Sequence, residues 1–314
     1  SCQNKIRQLA IAVQNFESAK KHFPAAVDTG EGKTGGNEGI SFFILILPYI
    51  EQSTIADLYD PKIQPRKQLA KCFSTPEPTM QCPSDESVQV LYAKGYTAPD
   101  PATGLGTGDT AQDYKGNYGL NWGTSRFDQD ALVWDFAAQA NRPGLPGPFE
   151  TTEVVGSGPD AREIPQRIKL KQITDGTTKT LMFMEMRQAP TGTPAEGDAG
   201  IDRRARLWIP ASSTFQISTL LLPNSGACAN GLSPDAKAGC GRDIGFCINL
   251  EAEGLPCARS NTGSTYTLAA RSRHPAGVSV ALCDASVRFV ANDIDIQVWR
   301  VYGSRAGQEV AGEL

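Results

Sequence analysis

His274-Pro-Ala-Gly-Val-Ser-Val-Ala-Leu-Cys-Asp284-Ala-Ser-Val-Arg-Phe289 is the stretch that decides the fold. Val278, Val280 and Leu282 alternate with Ser279, Ala281 and Cys283, and Val287 and Phe289 resume the alternation after a polar break. Period-two alternation on both sides of a short polar break is the pattern of a β-hairpin. The chain holds only two histidines, and His274 opens this hairpin. A short helix is expected over Asp293–Tyr302.

Working outward, Arg167-Ile-Lys-Leu-Lys171, Thr180-Leu-Met-Phe-Met-Glu-Met186 and Arg206-Leu-Trp-Ile209 read as strands, and Thr174-Asp-Gly176 as a turn. At the other end, Ile6, Leu9, Val13 and Phe16 fall at helical spacing within residues 2–22, with Lys5, Arg7 and Gln14 elsewhere on the wheel. Residues 23–39 read as a Pro/Gly loop. Residues 40–59 read as a buried apolar segment followed by helix, where Pro48 suits a first helical turn. Residues 60–160 are turn-rich. One helix followed by strands with long irregular connections defines an α+β class.

Further motifs run along the chain: Cys2-Gln-Asn-Lys-Ile-Arg-Gln-Leu-Ala-Ile-Ala-Val-Gln-Asn15, His22-Phe-Pro24, Leu45-Ile-Leu-Pro-Tyr-Ile-Glu-Gln52 and Leu58-Tyr-Asp60. Cys82-Pro-Ser84, Asn117-Tyr118, Ile173-Thr-Asp-Gly-Thr-Thr-Lys-Thr180 and Ser304-Arg-Ala-Gly-Gln-Glu-Val310 follow. In this order, together with His274 and Asp284, they resemble a bacterial pilin- or pseudopilin-like family. That family follows a prepilin-type cleavage and methylation segment and is marked by an H-x9-D-G motif. The sequence departs from the pattern twice. Ala285 stands where the motif has Gly, and the Cys-rich stretch 228–257 is not part of it.

The resemblance implies a pilin-like fold, with an N-terminal helix packed on an antiparallel sheet and long loop-rich insertions. Residues 1–22 would be the C-terminal half of a pilin helix. Residues 23–314 would form a globular head, including a Cys-rich insert at 223–265. It also implies a membrane anchor upstream of Ser1, partners that are other pilin-like subunits meeting through helix 2–22, and a Cys2–Cys82 disulfide.

Composition narrows the options. At 314 residues with 40% hydrophobic content and a net charge of −4, the chain can bury a sizeable core and has no basic block, so nucleic acid is not an expected partner. The 31 glycines and 21 prolines mark a loop-rich molecule. Of eight cysteines, Cys228, Cys240, Cys247 and Cys257 crowd into one loop. Such a loop gains from cross-linking, and the bonds persist outside the reducing cytosol. Three pairings are possible, and 228–240 with 247–257 closes the shortest loops. An extracellular, cell-surface or periplasmic location is expected. There is no Cys-x-x-Cys pair of the usual structural zinc sites, and no metal site is expected. The longest apolar run, residues 40–50, is too short to span a bilayer.

Catalytic readings find little support. Gly30-Glu-Gly32-Lys-Thr-Gly35 imitates a phosphate-binding loop but lacks the preceding strand and following helix. No G-x-S-x-G elbow exists, and a Cys283–His274 pair lacks a cation to lower the thiol pKa. His274 and Asp284, with Asp293 and Asp295 nearby, could hold calcium. The simpler expectation is that Asp284 shapes a turn and His274 bonds a backbone carbonyl at the strand start. Because Ala tolerates positive φ only at a cost, a turn longer than two residues is expected. Trp122 and Trp134, with Tyr118, could stack on a glycan. The leading expectation is a non-enzymatic exported structural subunit of a filament or envelope assembly. An extracellular carbohydrate- or solute-binding protein and a hydrolase using His274 are the alternatives.

Overall fold

The computed structural model describes residues 1–28, 39–61, 76–85, 89–90, 113–129, 132–135, 140–150, 152–155, 162–190, 202–208, 214–226, 241–260, 265–307, 312 and 314. The glycine-rich run 30–35 and Cys72, Cys228 and Cys240 lie outside these residues, as does the side chain of Trp134.

Helix α1 (Cys2–Lys20) is capped by the Ser1 hydroxyl, which accepts the N–H of Asn4, and ends at Lys21 in the left-handed region, φ 64°. Ile6, Leu9, Val13 and Phe16 are buried, as the periodicity predicts, together with Cys2, Ala10 and Ala12. That face lies on a sheet of six strands. In chain order these are β1 (Tyr118–Thr124), β2 (Leu145–Pro146), β3 (Leu181–Glu185), β4 (Gln216–Ser218), β5 (Gly277–Leu282) and β6 (Val287–Ala291). The spatial order is β4-β1-β3-β5-β6, with β2 also paired to β1. The sheet is antiparallel except where β4 joins β1. With α1 across it, this is the α+β, pilin-like arrangement expected.

After α1, the apolar segment following Ser41 breaks into short pieces, α2 (Phe42–Ile46), a 3-10 turn at Leu47–Ile50 carrying Pro48, and α3 (Ser53–Leu58). Phe42 meets Phe149 and Phe183 edge-on, and Phe43 meets Phe215, so this segment fills the core. Helix α4 (Ile296–Gly303) starts after Asp295, whose carboxylate accepts the N–H groups of Gln297 and Val298. Among the described residues, no helix is long and apolar enough to cross a membrane.

Three local expectations are corrected. Arg167–Lys171 is not a strand. Ile168 is buried, and the chain then turns through a 3-10 segment at Leu170–Gln172. Arg206 forms only an isolated bridge to Lys115 rather than part of a strand. The central strand β1 was hidden in the turn-rich reading of 60–160, because Gly119, Asn121 and Gly123 interrupt its apolar pattern. Gly119 is required by packing: a Cβ there would lie 2.6 Å from the carbonyl oxygen of Phe215. Asn121 is fully buried and donates to the carbonyls of Leu181 and Gly303 at 2.8 and 2.9 Å.

Residues 241–260 are attached through a buried ion network at Asp243. Arg204 bridges Asp202 at 2.5 Å and Asp243 at 2.9 Å, and Arg271 also meets Asp243 at 2.9 Å, with all four side chains at most 3% exposed. Burial alone would raise the two carboxyl pKa values. For Asp202 the charges of Arg204 and Lys115 outweigh it, and for Asp243 those of Arg271 and Arg204 do, so both are lowered. Cys247 and Cys257 form a disulfide beside this network.

Candidate functional site

Several of the motifs quoted from the sequence gather at the two ends of β5. The nine residues between His274 and Asp284 are the connecting strand and its flanks, so the spacing of the motif is a strand length.

At one end, Asp284 Oδ1 accepts both the N–H and the hydroxyl of Ser286, at 2.9 and 2.6 Å. The N–H of Ala285 donates to Leu282 O at 2.9 Å, and Ala285 has φ 62°. This is a three-residue loop, a type I turn followed by a left-handed residue, and so longer than two residues. The N–H groups of Cys283 and Asp284 donate to the carbonyls of Thr180 and Thr177. Gly307 N–H in turn donates to Asp175 Oδ2 at 2.7 Å, which ties in the Ser304-Arg-Ala-Gly motif. Asp284 therefore shapes the turn, and Asp295 caps α4. Neither carboxylate converges on His274. Cys283 is a buried unpaired thiol, its pKa pushed up by burial and by Asp284.

At the other end, Cys2 in the first turn of α1 is disulfide-bonded to Cys82. The N–H of Cys82 donates to Asn117 Oδ1 at 2.9 Å. Asn117 Nδ2 donates to Asp85 Oδ2 at 2.7 Å and to Met186 O at 3.1 Å. Arg273 Nε reaches Asp85 Oδ1 at 3.1 Å, which closes the ring of contacts beside His274. Tyr118 donates its hydroxyl to Cys2 O at 3.0 Å.

Glu185, the last residue of β3, points into this end and is 1% exposed. Its Oε2 accepts the N–H of Ser279 at 2.6 Å, and Oε1 faces His274 Nε2 at 3.3 Å, within ion-pair distance. That nitrogen is also 4.0 Å from Cys82 Sγ. Burial raises the Glu185 pKa; the Ser279 N–H and His274 oppose this. Burial, with the Glu185 charge, also raises that of Tyr118. His274 thus faces a carboxylate and a sulfur, not the backbone carbonyl expected for it. One atom each from Cys2, Cys82, Glu185 and His274 lie within 4.8 Å of one another. Sequence reasoning paired Cys2 with Cys82 by resemblance but missed Glu185. The available signal was a carboxylate in an otherwise apolar central strand.

The expected stacking residues are elsewhere. Trp122 and Tyr118 are 1% and 0% exposed. Trp122 Nε1 donates inward to Phe127 O at 3.1 Å. Both are core residues, because β1 is buried on both faces, and this corrects their reading as a glycan platform. The space beside Trp122 and Tyr266 measures about 10 Å³, room for about one water.

The chain matches, over residues 1–297, the model of a family described as "Protein of unknown function (DUF1559)". It belongs to this family, which is associated with pilin-like, prepilin-type proteins. No curated protein and no solved structure matches it.

Proposed function

We propose that this chain is the head of an exported, non-enzymatic, pilin- or pseudopilin-like subunit of a surface filament or cell-envelope assembly, anchored in the membrane before processing. The observation that carries the reading is α1, a single helix laid along an antiparallel sheet by one apolar face while the other stays open. That open side presents Gln3, Arg7, Gln8, Ile11 and Asn15, with Ile11 43% exposed. A second subunit would meet this helix. The disulfides support an oxidising location. Glycan or solute binding is less well supported, since the nominated aromatic residues are interior.

The test uses the native full-length gene product in its own cells. The expected result is antigen in the sheared-surface or envelope fraction and in filaments by immuno-electron microscopy. Ile11→Glu should abolish assembly while leaving the thermal unfolding of the purified head unchanged. A wholly cytoplasmic product, or an Ile11→Glu variant that assembles normally, would overturn the reading.

A further inference from the structure

We propose that the Cys2–Cys82 end of the molecule is a redox-gated site for a divalent zinc-class cation, held by Cys2 Sγ, Cys82 Sγ, His274 Nε2 and Glu185 Oε1 once the disulfide is reduced. The donor set carries the inference. Two thiolates, an imidazole and a carboxylate are borderline-soft ligands of the kind zinc takes four at a time. Tetrahedral zinc, with metal–sulfur bonds of about 2.3 Å and metal–nitrogen or –oxygen bonds of about 2.0 Å, spaces its ligands roughly 3.3–3.8 Å apart. His274 Nε2 already stands 3.3 Å from Glu185 Oε1 and 4.0 Å from Cys82 Sγ, and all four donors fit within 4.8 Å.

A second, independent observation points the same way. Glu185 is buried in the sheet, and its Oε1 is turned into the cluster, where it faces His274 Nε2 at 3.3 Å. A buried carboxylate is stable only when its charge is compensated, and a cation set between Oε1 and the imidazole nitrogen would compensate it. The surroundings are built as metal sites are built. Ser279 N–H holds the other carboxylate oxygen, and Asn117 Oδ1 accepts the N–H of Cys82. Such outer contacts orient ligands. His274 is the most exposed ligand, its side chain 28% accessible, and provides the way in.

The chemistry balances as follows. A dithiol reductant gives two electrons and two protons to the Cys2–Cys82 bond, which breaks to two thiols as the reductant closes its own disulfide. The cation then displaces both thiol protons to solvent and forms two metal–sulfur bonds. In the oxidised protein the sulfurs bond each other and the site is closed to metal. The protein would thus hold its helix to its sheet by a cation under reducing conditions and by a disulfide under oxidising ones.

The experiment titrates the whole purified chain with Co²⁺, anaerobically, before and after reduction by a phosphine, and then competes with Zn²⁺. The reduced protein should take up one Co²⁺ with the intense visible bands of a tetrahedral thiolate site, and Zn²⁺ should bleach them. The oxidised protein should show none. X-ray absorption on the zinc form should give two sulfur and two nitrogen or oxygen neighbours. Glu185→Gln and His274→Ala should each weaken binding by at least about tenfold, a loss that even outer-shell changes can cause. Cys2→Ser with Cys82→Ser should remove the bands, and Cys247→Ser with Cys257→Ser should keep them. If reduction unfolds the chain, Zn²⁺ must restore its circular dichroism, and must fail to do so in the Cys2→Ser, Cys82→Ser variant. Bands that survive the loss of Cys2 and Cys82, no uptake by reduced folded protein, or no recovery from the unfolded form would each overturn the proposal.

Discussion

Tyr118, the first residue of β1, donates its hydroxyl to the carbonyl oxygen of Cys2 in the first turn of α1, across 116 residues of sequence, at 3.0 Å. The start of the helix is thus pinned to the sheet by a hydrogen bond and to the segment around Cys82 by the disulfide. Further along, among the described residues, side-chain packing and the Gln14 amide on Cys283 O hold it. The packed face then sets most of the adhesion, and its loss is measurable.

Leu9→Ala should destabilise the protein by about 2–5 kcal/mol, as expected for a fully buried leucine whose cavity cannot collapse. Leu9 is 0% exposed. Denaturant unfolding should show a lower midpoint with an unchanged slope. A loss below about 1 kcal/mol would mean that α1 adheres through its ends.

Ala285→Gly should stabilise the protein by roughly 1 kcal/mol. Ala285 occupies the left-handed position of the hairpin turn, φ 62°, where glycine is accommodated without steric cost. Urea denaturation of the two proteins side by side gives the difference.

Asp243→Ala should cost about 3–5 kcal/mol, because Arg204 and Arg271 would be left buried and underpaired. The network also sets an acid limit. Asp202 and Asp243 have folded pKa values below their unfolded values of about 3.9. The unfolded chain therefore binds their protons first. The stability they contribute is present above that value and is lost as pH falls through the folded pKa values. An acid titration followed by circular dichroism should show a shallower fall for Asp243→Asn, from a lower starting stability.

Removing the Cys2–Cys82 disulfide by serine substitution should cost on the order of 4 kcal/mol, against about 3 for Cys247–Cys257, since the closed loops differ in length. Their sequence separations are 80 and 10 residues. Thermal unfolding without added metal measures both. Equal losses would indicate that the longer loop is already constrained in the unfolded chain.

Much of the fold was legible because its pieces follow simple periods. The face Ile6, Leu9, Val13 and Phe16 repeats at helical spacing, and Val278, Val280 and Leu282 repeat at two. The strand β1 was not, since Gly119 and Gly123 serve close backbone approach and Asn121 is a polar residue satisfied in the core. Neither choice follows a hydrophobic period. The buried Asp202, Arg204, Asp243 and Arg271 read as ordinary surface charges in one dimension. The site was partly legible: resemblance paired Cys2 with Cys82 and marked His274. Glu185 joined them only through the antiparallel pairing of β3 with β5, a relation between strands that no local spacing encodes.

The closure of Cys2 on Cys82 also fixes a route for mechanical tension. A pull applied at Ser1 passes within one residue into a covalent link to Cys82, and from there into the hydrogen bonds around Asn117. It cannot peel α1 away turn by turn or draw out the segment between the two cysteines, which stand 80 positions apart. At about 3.4 Å per extended residue, roughly 270 Å of chain is withheld from extension. Stretched between its termini in a single-molecule experiment, the oxidised protein should lengthen by that much less than the reduced one. A subunit that hangs from its first helix would not give up this stretch of chain under load.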